Sequence, residues 1–138
     1  MSAVPEGFRA IARLSPFNAL VGPLYERRGG TELSIGLRIE EKHTNSRGIC
    51  HGGVLATLAD LALGYSMQFH LEKEPARGFV TANLSLDYAG AAKVGDWIES
   101  EVRIQRVGSR LAFANCYLAA GGAPIVRASA IFVRAGKQ

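Results

Sequence analysis

The chain has 138 residues and a formal net charge of +4, which suits a single domain large enough to bury a core without metal or disulfide staples. Its two cysteines, Cys50 and Cys116, cannot form a disulfide framework and fit a reducing compartment. No run of five or more Lys/Arg and no nucleic-acid motif accompanies the basic balance, so the charge points away from nucleic acid and leaves a small anionic partner open. The stretch MSAVPEGFRAIARLSPF lacks the continuous apolar core of a secretory signal. The longest apolar run, Val54–Phe69, is interrupted by Asp60, Ser66 and Gln68 and is too short and polar for a membrane span. The expectation is a cytoplasmic protein with no membrane partner, one domain over residues 1–138, and an N-terminal helix-and-loop extension over 1–30.

Residues 8–20 carry apolar side chains at helical spacing with Pro16 interrupting, which predicts a short helix followed by a turn. Leu24–Arg28, ending in Gly29-Gly30, predicts a first edge strand. Residues 33–41 alternate, with Leu33, Ile35, Leu37 and Ile39 on one face and Ser34, Gly36, Arg38 and Glu40 on the other, as in a half-buried strand. A polar loop, HTNSRGIC, leads into His51-Gly52-Gly53 and an almost wholly apolar helix from about Gly52 to Leu71, closed by Pro75. A helix apolar on all sides is expected to be buried on all sides. After it come four strands. Val80, Ala82, Leu84, Leu86 and Tyr88 alternate against Thr81, Asn83, Ser85 and Asp87 in the first. Trp97–Arg106, Arg110–Ala119 and Pro124–Arg134 follow, with hairpin signals at Val107-Gly108-Ser109 and Ala120-Gly121-Gly122-Ala123. This order predicts an α+β fold in which an antiparallel sheet wraps one long central helix. The outer face of such a sheet also needs cover, which oligomerisation supplies.

Chemistry concentrates around the central helix. Gly52 and Gly53 stand where its first N–H groups lack intrahelical partners and the macrodipole is positive, an end that can bind an anion or polarise a carbonyl. They could equally serve only to shape the turn. Asp60 is an acid on an apolar helix, costly unless paired or used. At ~1.5 Å rise per residue it stands ~12 Å along the axis from Gly52, so one carbonyl group cannot touch both within one chain. If both serve one reaction, the acid must meet the glycine end of a second copy. His51 fits a base or a helix cap; a Cys50–His51 nucleophile pair is disfavoured by adjacency, and His43, His51 and His70 lack compact metal-ligand spacing. Thr81 and Asn83 lie on the polar face of their strand, where a hydroxyl could orient a water if that face meets a partner.

The pattern N-x-x-G-x-x-H-G-G-x-x-x-x-x-x-D, formed by Asn45, Gly48, His51, Gly52, Gly53 and Asp60, resembles that of the hotdog-fold acyl-CoA thioesterases, and most of all the phenylacetate-pathway type. The similarity extends through FVTANLSLDYAGAAKVGD and the Gly108–Phe113 turn, over about residues 33 to 134. It implies a hotdog fold, with two subunits joined edge to edge in a homodimer, sites at the interface, and assembly to a homotetramer. It implies that Gly52 N–H, helped by Asn45, polarises the thioester carbonyl. Asp60 of the other subunit would act as general base or nucleophile, Thr81 would position water or acid, and His51 would organise the loop. Gly53 and Asn83 are candidate substrate contacts, and Arg106, Ser109, Arg110 and Arg134 are candidates for the coenzyme A phosphates. The substrate carries the coenzyme A, so no separate cofactor and no metal is expected. Two other functions stay open: an acyl-CoA hydratase/dehydratase, with His51 as the catalytic histidine, and a non-catalytic acyl-CoA-binding module, which would have little use for Asp60.

Overall fold

The computed structural model describes residues 3–72 and 78–135, so that Pro75 lies outside the described part. The elements are β1 (Arg9–Ala10), α1 (Pro16–Val21), β2 (Tyr25–Gly29), β3 (Glu32–Arg38), a 3₁₀ turn (Glu41–His43), α2 (Gly52–His70), β4 (Phe79–Tyr88), β5 (Trp97–Val107), β6 (Leu111–Ala120) and β7 (Ala123–Arg134). The strands form one seven-stranded sheet in the order β1-β2-β3-β5-β6-β7-β4, antiparallel throughout. This is the hotdog arrangement, with the sheet curved about α2.

The N-terminal expectation needs correction. The predicted helix over 8–20 begins only at Pro16, after the two-residue strand β1. Ser15 caps it by accepting from Asn18 N–H (3.2 Å), and Pro16 occupies the first turn, where its missing N–H costs nothing. A proline that looks like an interruption in the sequence is therefore the start.

On α2 the stripe Leu55, Leu58, Ala59, Ala62, Leu63, Ser66 and Met67 is buried. It packs with Leu33, Ile35 and Leu37 of β3 and with the inward residues of β5–β7, among them Ile98, Leu118 and Phe132. Each such aliphatic side chain contributes roughly 1.5–3 kcal/mol by leaving water. Ser66 donates to the Leu33 carbonyl (3.4 Å), which satisfies the one hydroxyl in the stripe. The opposite row is open: Gly53, Gly64 and Gln68 are exposed, and Thr57 and Asp60 are half-buried. The helix is thus not buried on all sides, because a single sheet covers only one side of it.

β4 is an edge strand, paired on one side with β7. Its register slips between Thr81 and Asn83, leaving Ala82 as the extra residue of a bulge. Thr81 stands opposite the buried Phe132 and Leu84 opposite the buried Ala130, so both face inward, with Leu86 and Tyr88. Asn83, opposite Ile131, faces outward. The regular alternation expected for this strand fails at the bulge, and Thr81 and Asn83 do not share a face. On the outer face Val80, Val133 and Leu111 stand directly opposite one another across β4, β7 and β6, and all three are exposed.

Candidate active site

The loop before α2 is held in place from both sides. Buried His43 accepts at Nδ1 from Glu40 N–H (2.9 Å), and its Nε2 meets the Val21 carbonyl (2.6 Å). Its carbonyl accepts from His51 N–H (2.8 Å). Cys50 N–H donates to the Ala92 carbonyl (2.7 Å), and Thr44 and Cys50 form a bridge across the loop. Asn45 closes the turn: its Oδ1 accepts from Arg47 N–H (2.9 Å) and from Ile49 N–H (3.4 Å). That fixes the amide and leaves Nδ2 as its available donor.

His51 is the N-cap of α2, its Nδ1 accepting from Gly53 N–H at 2.8 Å. A side chain on Gly53 would put Cβ 2.9 Å from that nitrogen. Gly53 is therefore a glycine because the cap ring lies against it, and its N–H is bonded to the cap. Gly52 N–H, by contrast, has no acceptor among the described residues. Its carbonyl accepts from Tyr88 O–H (2.8 Å). Tyr88, read in the sequence only as an alternating strand residue, thus ties the end of β4 to the first turn of α2. No local pattern could have disclosed that contact, which spans 36 positions.

Asp60 lies two turns further on, half-buried on the open face. Its Oδ1 accepts from Thr81 Oγ1–H at 3.0 Å. The bulge at Ala82 makes this contact possible by turning Thr81 inward. The structure therefore joins Asp60 to Thr81, and Gly52 to Tyr88, but keeps the two pairs at different levels of α2. Asn83 is on the other face of β4, where its Oδ1 accepts from Ser85 O–H (3.1 Å), away from Asp60.

Arg106, Ser109 and Arg110 are exposed at the β5–β6 hairpin. Arg134 braces that hairpin, donating to the Ser109 carbonyl (3.0 Å), and its guanidinium lies over the Phe79 ring. This cluster sits at the Phe79 end of β4, whereas Gly52 sits at the Tyr88 end, ~30 Å away at ~3.3 Å per strand residue. Within one chain it cannot serve a ligand held at Gly52. Burial pushes the Cys50 thiol up to about 11, so it stays protonated at neutral pH and is a poor nucleophile. Among the described residues no group of three or more His, Cys, Asp or Glu could hold a metal, and no helix is long and apolar enough to cross a membrane.

The helix N-terminus with a free N–H can stabilise a developing oxyanion, and a carboxylate steadied by a hydroxyl can take a proton or attack a carbonyl. Proteins similar to the chain in sequence and in fold carry esterase and thioesterase names. The protein named "Putative esterase PA0474" of Pseudomonas aeruginosa is 45% identical over 133 residues, 96% of this chain and 98% of that one. Acyl-coenzyme A thioesterase 13 of Mus musculus is 35% identical over 79 residues, 57% of this chain and 54% of that one. The crystal structure of zebra fish thioesterase superfamily member 2 superposes with a TM-score of 0.78 at 26% identity, covering 88% of each chain. Residues 47–122, which hold Gly52, Asp60 and Thr81, match the family model described as the thioesterase superfamily, and the chain belongs to that family.

Proposed function

We propose that the protein hydrolyses acyl-CoA thioesters to free acid and coenzyme A, at sites each built from two copies of the chain. The observation that carries this reading is the split of the machinery. A free N–H at the start of α2 and an Asp60–Thr81 pair two turns later lie beside an edge strand with one unpaired side. An edge strand ten residues long invites pairing with another strand. Two identical strands related by a two-fold axis pair antiparallel. A register with Ser85 on the axis sets the partner's Tyr88 opposite the Thr81–Ala82 bulge. That would bring the partner's Gly52, bonded to the partner's Tyr88, towards Asp60. The same two-fold would carry Arg106, Arg110 and the hairpin braced by Arg134 to the partner's glycine end, which supports them as a phosphate-binding cluster in the dimer. The exposed row Val80, Val133 and Leu111 supports a further sheet-to-sheet contact and a homotetramer. The Asn45 to Asp60 spacing supports the phenylacetate-pathway type, with aryl or medium-chain acyl groups as substrates, within a single domain over residues 1–138.

In this site Gly52 N–H, with Asn45 Nδ2, receives the thioester oxygen as it gains charge. Asp60 takes the proton of a water that attacks the carbonyl carbon, or attacks that carbon itself, and the tetrahedral intermediate then expels the coenzyme A thiolate. In the first route Asp60 returns the proton to the thiolate; in the second, water opens the acyl–Asp60 anhydride, which frees the acid, restores the carboxylate and supplies the thiol proton. Thr81 positions the carboxylate, and His51 holds the first turn. A single turnover in heavy-oxygen water tests the second route: label in Asp60 shows direct attack with water opening the anhydride at the Asp60 carboxyl, a label that the general-base route never leaves there. The test of the activity is thiol release from a broad panel of acyl-CoAs, with hydration of crotonyl-CoA alongside. Thiol release is expected. Hydration without it would make the protein a hydratase, and neither reaction would leave only binding.

A further inference from the structure

We infer that His43 is a positioning residue of the hydrolytic site, joining the end of α1 to the loop that carries Asn45 and Gly52. This rests on the proposed thioesterase reading and adds to it a residue outside the stretch 47–122 that matches the family. His43 is buried, takes no part in the reaction steps, and stands at the base of that loop. Its carbonyl accepts from His51 N–H (2.8 Å), and two residues on, Asn45 N–H donates to the Ile49 carbonyl (2.8 Å). Between them Thr44 and Cys50 form a bridge. The arms 43–45 and 49–51 therefore run antiparallel. One carries Asn45, the other delivers Gly52, and the His43–His51 bond closes them. That closure sets where the two proposed carbonyl donors, Asn45 Nδ2 and Gly52 N–H, stand relative to each other.

The ring ties this base to a separate element. Nδ1 accepts from Glu40 N–H (2.9 Å), so the ring is neutral with its proton on Nε2, which donates to the Val21 carbonyl (2.6 Å). Val21 ends α1, and the last carbonyls of a helix lack partners within it. His43 takes one of them, and Lys42 Nζ takes the carbonyl of Gly22. α1 is itself anchored: Val21 packs on the core, and Asn18 Nδ2 donates to Tyr65 Oη of α2 (3.2 Å). The loop is thus braced against a fixed point. The Nδ1 bond spans three positions and serves only the 3₁₀ turn, a task within reach of Asn. The Nε2 bond spans 22 positions, and it is this second bond that calls for a histidine.

The two bonds can be separated. In His43→Gln the amide nitrogen follows the path of Nε2 and can still donate to Val21. In His43→Asn the amide oxygen falls where Nδ1 was and can still accept from Glu40, but Val21 loses its donor. Each variant is checked for Tm and oligomeric state, then assayed for thiol release across the acyl-CoA panel and for hydrogen exchange at the amides of residues 44–53. His43→Asn is expected to lose about ten- to a hundredfold in kcat with KM little changed, the mark of displaced transition-state donors. Exchange at His51 N–H should quicken with it, whereas His43→Gln should stay within about threefold of wild-type kcat. Wild-type kcat in folded His43→Asn overturns the inference. So does an equal loss in both variants, which would make the ring a packing group. If His43→Asn does not fold, Lys42→Met, which frees the Gly22 carbonyl alone, decides: a lower kcat at constant KM upholds the link, and an unchanged kcat overturns it. No thiol release by the wild type would sink the hydrolase reading itself. The exchange data then decide the brace: faster exchange at His51 in the Asn variant but not in the Gln variant upholds it, and no difference overturns it.

Discussion

Replacing Asp60 by Asn separates its proposed chemical role from a structural one. The amide is nearly isosteric, and its oxygen can still accept from Thr81 Oγ1–H, the one hydrogen bond the Asp60 side chain makes among the described residues, at 3.0 Å. Exchanging a charged for a neutral acceptor in one half-exposed hydrogen bond should change stability by about 1 kcal/mol or less. An amide, however, can neither take a proton from water nor attack as a carboxylate. Loss of a general base typically costs ~10²–10⁴-fold, equivalent to ~2.7–5.4 kcal/mol of barrier at 1.36 kcal/mol per decade. The barrier effect should therefore exceed the stability effect several-fold. Thermal unfolding reports the first quantity, and thiol release at saturating acyl-CoA, read with a thiol-specific chromophore, reports the second. A folded Asp60→Asn protein with kcat within about threefold of wild type would refute the reasoning and assign the acid to structure alone.

Four further outcomes follow from contacts away from that carboxylate. Tyr88→Phe removes the hydroxyl that holds the Gly52 carbonyl (2.8 Å), so kcat/KM should fall about three- to tenfold, as for one ordinary hydrogen bond; unchanged kinetics would show that the first turn of α2 holds itself. Gly53→Ala sets Cβ 2.9 Å from His51 Nδ1 and should cost about 1 kcal/mol, the worth of an N-cap, with Tm as the readout; an unaltered Tm would mean the ring moves freely. Gly36→Ala would place Cβ 2.2 Å from the Trp97 ring and should destabilise by about 1–3 kcal/mol through overpacking, whereas an unchanged denaturation midpoint would contradict that packing. Burial raises Cys116 from an ordinary value of 9.0 to about 12. The unfolded chain therefore sheds this proton first, and stability should fall as pH climbs from about 9 towards 12, with no contribution from this group below about pH 8; a Cys116→Ala variant with the same alkaline loss as wild type would rule the thiol out as its source.

Much of the fold was legible because its strands and helix obey simple periods. Leu33, Ile35, Leu37 and Ile39 alternate in the sequence and are all buried. The two hairpin signals fall where β5, β6 and β7 turn. Departures arose where one residue breaks a period. Ala82 adds a residue to β4, so inside and outside exchange between Thr81 and Asn83. That decides which of the two reaches Asp60, and composition gives no sign of it. Pro16 carries the same identity at a helix start as at a helix break, and only the Ser15 cap distinguishes them. In the site, Gly52 and Asp60 stood out as chemical types in an unusual context. Tyr88 did not, because its relevance comes from what lies across a gap. Nor did the spacing disclose that Gly53 N–H bonds the His51 ring, a contact set by a rotamer.

The central claim is that no single chain holds a whole site, and complementation tests it most directly. Asp60→Ala removes the acid and Asn45→Ala the amide donor, and each variant is assayed alone. The two are then unfolded together, refolded in equal amounts, and shown to have exchanged partners. Each mixed dimer has one site with both residues and one with neither. Random pairing makes roughly half the dimers mixed, so roughly a quarter of wild-type sites should return. Activity well above the mean of the two variants refolded separately is the predicted result; activity that stays at that mean, with re-pairing demonstrated, would contradict the shared site.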